Sequence, residues 1–190
     1  MKPRRNYALF WQWGEKSIKE REIMRDFLKA RDVLGLPSYA EVEVCKPPVG
    51  VHPTPSPDFI ARNKTGYVTA VELTELVCQK AIQANIHASR REEYVYRDWT
   101  QEEVIAAIEE RLAIKDSKKY LEGSFDEVHV VIHVDEPLIF PSEYVSFLSK
   151  IPFVSRRSIT RVFILFSYDP MSEGYPCVEL QFGPNPTLAP

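Results

Sequence analysis

Residues 57–76 read PDFIARNKTGYVTAVELTEL, and this stretch decides the fold. Apolar residues crowd both ends, while Asn63-Lys64-Thr65-Gly66 in the middle carries residue types that turn a chain back on itself. The reading is a β-hairpin, with strands over 58–62 and 67–76 paired antiparallel. Side chains alternate across a strand, so Ala70, Glu72 and Thr74 share one face and Val71, Leu73 and Glu75 the other. Asp58 and Glu72 then offer two carboxylates from neighbouring strands to one place. A carboxylate buried in so apolar a strand as Val68-Thr69-Ala70-Val71-Glu72-Leu73 needs a partner, because an unpaired buried charge is costly.

On the N-terminal side, residues 14–35 have helical spacing, with Ile18, Met24, Phe27, Leu28, Val33 and Leu34 as the apolar stripe. Ser17 with Glu20 forms a candidate capping box, and Gly35 a natural stop. Residues 41–46 alternate as a short strand, and prolines at 47, 48, 53, 55 and 57 forbid regular structure before the hairpin. On the C-terminal side, the polar stretch 79–98 precedes a helix over 100–119, opened by a second capping box, Thr100 and Glu103. Val104, Ile105, Ile108, Leu112 and Ile114 supply its apolar face. Strands follow over 126–134 and 160–167, with a short helix over 142–150 between them. A last strand over 177–182 precedes an irregular Pro-rich tail, 183–190.

The element order is thus helix, three strands, helix, strand, which implies an α/β protein with a mixed central sheet flanked by helices. A chain of 190 residues, 44% hydrophobic, is expected to form one domain around one sizeable core. The net charge of −3 gives no global pull toward a polyanion, so nucleic-acid contact would rest on local basic patches. Cys45, Cys78 and Cys177 are widely spaced, odd in number and form no CxxC pair, which argues against a disulfide framework or structural zinc. With no apolar run long enough for a signal or a membrane span, the expectation is a soluble, cytoplasmic protein.

Hard cations such as magnesium take oxygen ligands and are often bound by one or two carboxylates plus substrate phosphate. Asp58, Glu72 and the Leu73 backbone carbonyl make such a set. Together with Pro57, these residues resemble the PD-(D/E)XK nuclease superfamily, of restriction-endonuclease-like fold. Pro57-Asp58 stands for the PD, and Glu72-Leu73-Thr74 occupies the place of (D/E)XK. The order α-β-β-β-α-β over roughly residues 15–167 is that of the family core.

The resemblance implies a magnesium- or manganese-dependent phosphodiesterase acting on DNA, or less readily RNA, with Asp58 and Glu72 on the metal. Thr74 stands where the family has a lysine that assists the attacking water, and a hydroxyl carries no positive charge. A lysine from the helix over 100–119 is the expected substitute: Lys118, or Lys115 on the same helical side. Thr74 itself and Glu20 or Glu22 of the first helix are the outer-shell candidates. The alternative is a catalytically inactive relative that binds nucleic acid or protein. A homodimer is a further option, since nucleases that cut both strands often dimerise.

For nucleic-acid contact, Arg90, Arg91 and Arg97 accompany Tyr94, Tyr96 and Trp99, and Arg156, Arg157 and Arg161 form a second cluster. Residues 80–119 carry eight basic and eight acidic side chains, so the first cluster lies in a neutral segment. Phe10, Trp11 and Trp13 read as core or interface packing. His129 and His133 share a strand face but lie about 13 Å apart at strand spacing, too far for one metal. No GxxxxGK[ST], GxGxxG or GxSxG motif is present.

Overall fold

The computed structural model describes residues 16–45, 56–78, 81, 96–121 and 125–183. The fold is mixed α/β. Helix α1 (Lys16–Val33) is followed by β1 (Glu41–Val44), β2 (Phe59–Arg62) and β3 (Val68–Leu76). Helix α2 (Gln101–Asp116) and a 3-10 turn (Lys119–Leu121) lead to β4 (Glu127–Val134). Helix α3 (Pro141–Leu148), β5 (Pro152–Phe153), β6 (Arg161–Phe166), β7 (Cys177–Glu179) and β8 (Gln181–Phe182) complete the order. Six strands form one sheet in the order β1-β2-β3-β4-β6-β7, and β5 pairs β8 in a second, two-stranded sheet.

The hairpin expected over 57–76 forms, with Phe59 opposite Val71 and Arg62 opposite Val68. Its turn is closed by Asn63, whose Oδ1 accepts from the Thr65 and Tyr67 amides, each at 2.9 Å. Gly66 there adopts φ 84°, the left-handed conformation that glycine takes without strain. β3 then pairs β4 in parallel over eight positions, Thr69 with Glu127 through Leu76 with Val134, and β4 pairs β6 in parallel. β1 and β7 close the sheet antiparallel at either edge.

Strand alternation sorts the core into two layers. The odd-numbered Val71, Leu73, Val131, Phe163 and Leu165, with Phe59 and Ala61, pack under Ile23, Met24, Phe27 and Ala30 of α1. The even-numbered Leu76, Val130, Ile132, Val162 and Ile164 pack under Val104, Ile108 and Leu112 of α2 and Tyr144 and Leu148 of α3. Covered on both faces, β4 and β6 bury nearly every residue, as central parallel strands do.

Helix α1 ends as Gly35 predicts. Gly35 takes φ 68°, and the Leu36 and Gly35 amides return to the Arg31 and Asp32 carbonyls, each at 3.1 Å. Ser17 lies inside the helix, so it cannot cap it, and Ile18 and Val33 are exposed rather than part of the apolar stripe. The second capping box does form: the Glu103 amide donates to Thr100 Oγ1 and the Thr100 amide to Glu103 Oε2. Helix α2 stops at Asp116, short of the expected 119, and Ile114 faces solvent. The strand expected over 177–182 divides at Leu180 between the two sheets. Among the described residues no helix is long and apolar enough to cross a membrane. Phe10, Trp11, Trp13, Arg90 and Arg91 lie outside the described residues.

Candidate active site

Asp58 stands one step beyond the Phe59–Val71 pair, at the end of the hairpin nearest Glu72. Its Oδ2 accepts the Leu73 amide at 2.7 Å, so the backbone of β3 fixes the carboxylate. In an extended strand the N–H and C=O of one residue point the same way, here toward β2. The same register brings position 57 opposite Leu73, and Pro57 has no N–H to give the Leu73 carbonyl. The Pro-Asp pair therefore supplies a carboxylate and leaves that carbonyl without its ladder donor on this side.

Glu72 points to the α2 face and is fully buried. Helix α2 answers it. Val104, Ile108 and Leu112 form the buried row of that helix, and the next position along the row is Lys115, also buried. Lys115 Nζ donates to Glu72 Oε2 at 2.5 Å and lies 3.5 Å from Asp58 Oδ2, so it bridges the two acids. Lys118 Nζ donates to the same Glu72 oxygen at 2.8 Å, and the Tyr120 hydroxyl donates to Oε1 at 2.6 Å. Burial pushes the Glu72 pKa up, but the Lys115 charge and the bonds from Lys115, Lys118 and Tyr120 outweigh it, leaving it below the ordinary value. Burial, then the bond to Glu72, raises the Tyr120 phenol, which stays a proton donor.

Two carboxylates and two ammonium groups thus balance in charge within one buried cluster. Asp58 Oδ1 has no protein partner among the described residues, and the Asp58 side chain is 22% exposed. An oxygen set of Asp58, Glu72 and the Leu73 carbonyl suits a hard divalent cation of the magnesium type. Among the described residues there is no group of three or more His, Cys, Asp or Glu that could hold a metal ion. Any cation here would rely on two carboxylates, a carbonyl, water and substrate oxygens.

Thr74 shares the Glu72 face by alternation and is half-buried. Glu75 points the opposite way, as expected, and pairs with Lys19 of α1 at 2.8 Å. The outer-shell role read for Glu20 or Glu22 is corrected: both sit on α1, which covers the sheet face opposite Glu72. Sequence periodicity gives a helix its phase but does not say which side of a sheet it covers. Arg97, read as a nucleic-acid contact, instead donates to Glu103 Oε1 at 2.7 Å and to Cys78 Sγ, and stacks over Trp99. It ties the start of α2 to the end of β3. Arg156 and Arg161 are likewise committed, to Glu109 and Glu179 respectively.

A second polar network lies under α1. Tyr39 donates to His129 Nδ1 at 2.8 Å, and His129 Nε2 donates to Glu127 Oε2 at 2.7 Å, the tautomer that satisfies both neighbours. Burial and the charges of Arg31 and Arg161 push the His129 pKa down to about 3, so the ring is neutral. Sequence reading missed this relay, and it missed Tyr120, whose only signal was a phenol two residues after Lys118.

In comparisons with known proteins the chain matches no family model, no curated protein and no solved structure.

Proposed function

We propose that this chain is a metal-dependent phosphodiesterase with a restriction-endonuclease-like core, cleaving DNA in preference to RNA. The observation that carries the reading is the convergence of Asp58 and Glu72 with Lys118, which lies just past the end of α2 with its Nζ 2.8 Å from Glu72 Oε2. Three antiparallel strands preceded by one helix, with a second helix leading to a parallel fourth strand, add fold-level support. Free Cys45, Cys78 and Cys177 accord with the cytoplasm as its setting.

In this reading Asp58, Glu72 and the Leu73 carbonyl hold magnesium or manganese. Such a cation, when bound, polarises a phosphate oxygen and lowers the pKa of a water. The remaining work falls to the chain. The Leu73 amide fixes Asp58, and the Tyr120 hydroxyl holds one oxygen of Glu72 so that the other faces the lysines. Lys118, with 30% of its side chain exposed against 11% for Lys115, can reach substrate while Lys115 stays between the acids. Lys118 therefore takes the part that Thr74 cannot, placing positive charge beside the attacked phosphate.

The charge balance of the cluster favours a second reading, a catalytically inactive relative in which Lys115 and Lys118 permanently replace the metal. Thermal melts of wild type and Asp58→Ala in EDTA, magnesium and manganese separate the two. A metal-dependent rise in Tm that Asp58→Ala abolishes, with cleavage of a mixed DNA substrate, is the expected result. A well-folded wild type with neither the shift nor cleavage overturns the nuclease reading.

A further inference from the structure

Beyond Tyr120 the same side of the sheet opens into a pocket of about 300 Å³ lined by Leu121, Phe125, Glu127, Val128, Arg157, Ser158 and Thr160. Packed side chains connect it to the acid cluster. Leu121 and Val128 pack on Ala70, two residues before Glu72 on the same face, and Tyr120 and Phe125 pack against this group. The opposite wall is tied to the helix that carries Lys115 and leads into Lys118: Asp116 at the end of α2 accepts the Arg157 amide at 3.2 Å and the Ser158 amide at 2.8 Å.

The chemistry of the lining is specific. Leu121, Val128 and the Phe125 ring form an apolar wall, while Ser158 Oγ is buried with no partner among the described residues. A buried hydroxyl without a partner is rare and marks a place where a ligand can complete the set. Arg157 and Thr160 line the pocket with it, while the Glu127 carboxylate is held toward the α1 side by His129. A flat group with polar edges matches this surface, and a base still stacked and paired in a duplex could not enter it.

Resting on the nuclease reading, we propose that this pocket receives one unstacked nucleobase next to the cleaved phosphate, making single-stranded or unpaired nucleic acid the substrate class. Phe125 stacks on the base, Ser158 bonds its edge, and the phosphate beside it lies toward Lys118.

The test is fluorescence anisotropy in EDTA, where metal-dependent cleavage cannot occur, with a short fluorescein-labelled single strand and the same strand annealed to its complement. Wild type is expected to bind the single strand more tightly than the duplex. Phe125→Leu, which keeps apolar bulk, is expected to weaken single-strand binding by about tenfold, the size of one lost base stack, and Ser158→Ala by about fivefold, the size of one lost hydrogen bond, both leaving duplex binding unchanged. Duplex preference in the wild type, unchanged single-strand binding in the folded variants, or equal loss on both probes overturns the proposal. The magnesium-dependent rise in Tm is read separately on the same variants. Its absence would count against the Asp58–Glu72 reading alone, and failure of the anisotropy result against the pocket alone.

Discussion

Lys115 Nζ and Glu72 Oε2 meet at 2.5 Å in the interior, joining the last turn of α2 to the middle of β3. Removing one partner of a buried pair strands the other, whereas replacing both with apolar groups of similar volume is often neutral. Glu72→Leu, which strands the buried Lys115, is accordingly expected to lower stability by about 3 kcal/mol, and Lys115→Met with Glu72→Leu to recover part of that loss. Urea unfolding of the two singles and the double gives the coupling directly, and additive losses would show that the pair is not the unit.

Lys118 contributes differently. Its ammonium is more exposed and shares Glu72 with Lys115 and Tyr120, so Lys118→Met leaves Glu72 partnered. The expected outcome is a stability change below about 1 kcal/mol, an unaltered magnesium shift, and cleavage reduced by about a hundredfold or more. Parallel melts and cleavage assays check this. Cleavage at the wild-type rate would remove Lys118 from the reaction.

Tyr120→Phe deletes one donor to a buried carboxylate while keeping the ring. A hydrogen bond to a charged group is worth about 1.5–3 kcal/mol, and chemical denaturation should show a loss in that range. Because the bond helps hold Glu72 ionised, the variant's stability should also fall away at a higher pH on acidification. A variant as stable as wild type at every pH would mean the phenol is incidental.

Acid should begin to destabilise the protein as the pH falls below the ordinary imidazole range. Burial, then Arg31 and Arg161, takes His129 from 6.5 to about 3, and burial, then Lys19, takes His133 to about 4. Folded values below unfolded ones mean that the unfolded chain binds more protons, so these contributions are whole above about 6.5 and are lost as pH falls through that window. Asp135, raised by burial to about 6 from 3.8, runs the other way: its contribution is present below 3.8 and lost as pH rises through 6. The histidine effect is the larger, so stability is expected to drop between pH 6.5 and 4. His129→Gln should make that drop shallower in urea midpoints measured across the range, and an equally steep profile would contradict the assignment.

How far the sequence reveals this arrangement depends on the range of each signal. The hairpin is legible because turn chemistry at 63–66 and alternation in β3 are local, and Thr100 with Glu103 marks the start of α2 for the same reason. Glu75 on the far face from Glu72 follows from alternation alone. Lys115 is visible as a candidate, but its burial is not, because a charge at the end of an apolar row is interpretable only once its partner on β3 is in view. Tyr120 escapes notice because it lies past the helix, where the period of α2 no longer applies. The distance of Glu20 from Glu72 is not legible, because helix phase carries no information about which sheet face α1 covers. β5 and β8, two residues each, are too short to leave a pattern.

The register of β3 carries a consequence for how freely the chain can vary. Glu72 is indexed twice, once from the hairpin partner β2 and once across eight parallel positions from β4. A one-residue slip would throw it to the α1 side, and both neighbours would have to give way together for that to happen. The tip at 63–66 is thereby relieved of responsibility for alignment. Loop extensions, affinity tags or even a grafted recognition element placed there should leave the two acids where they are, making this bend the natural port for remodelling the molecule.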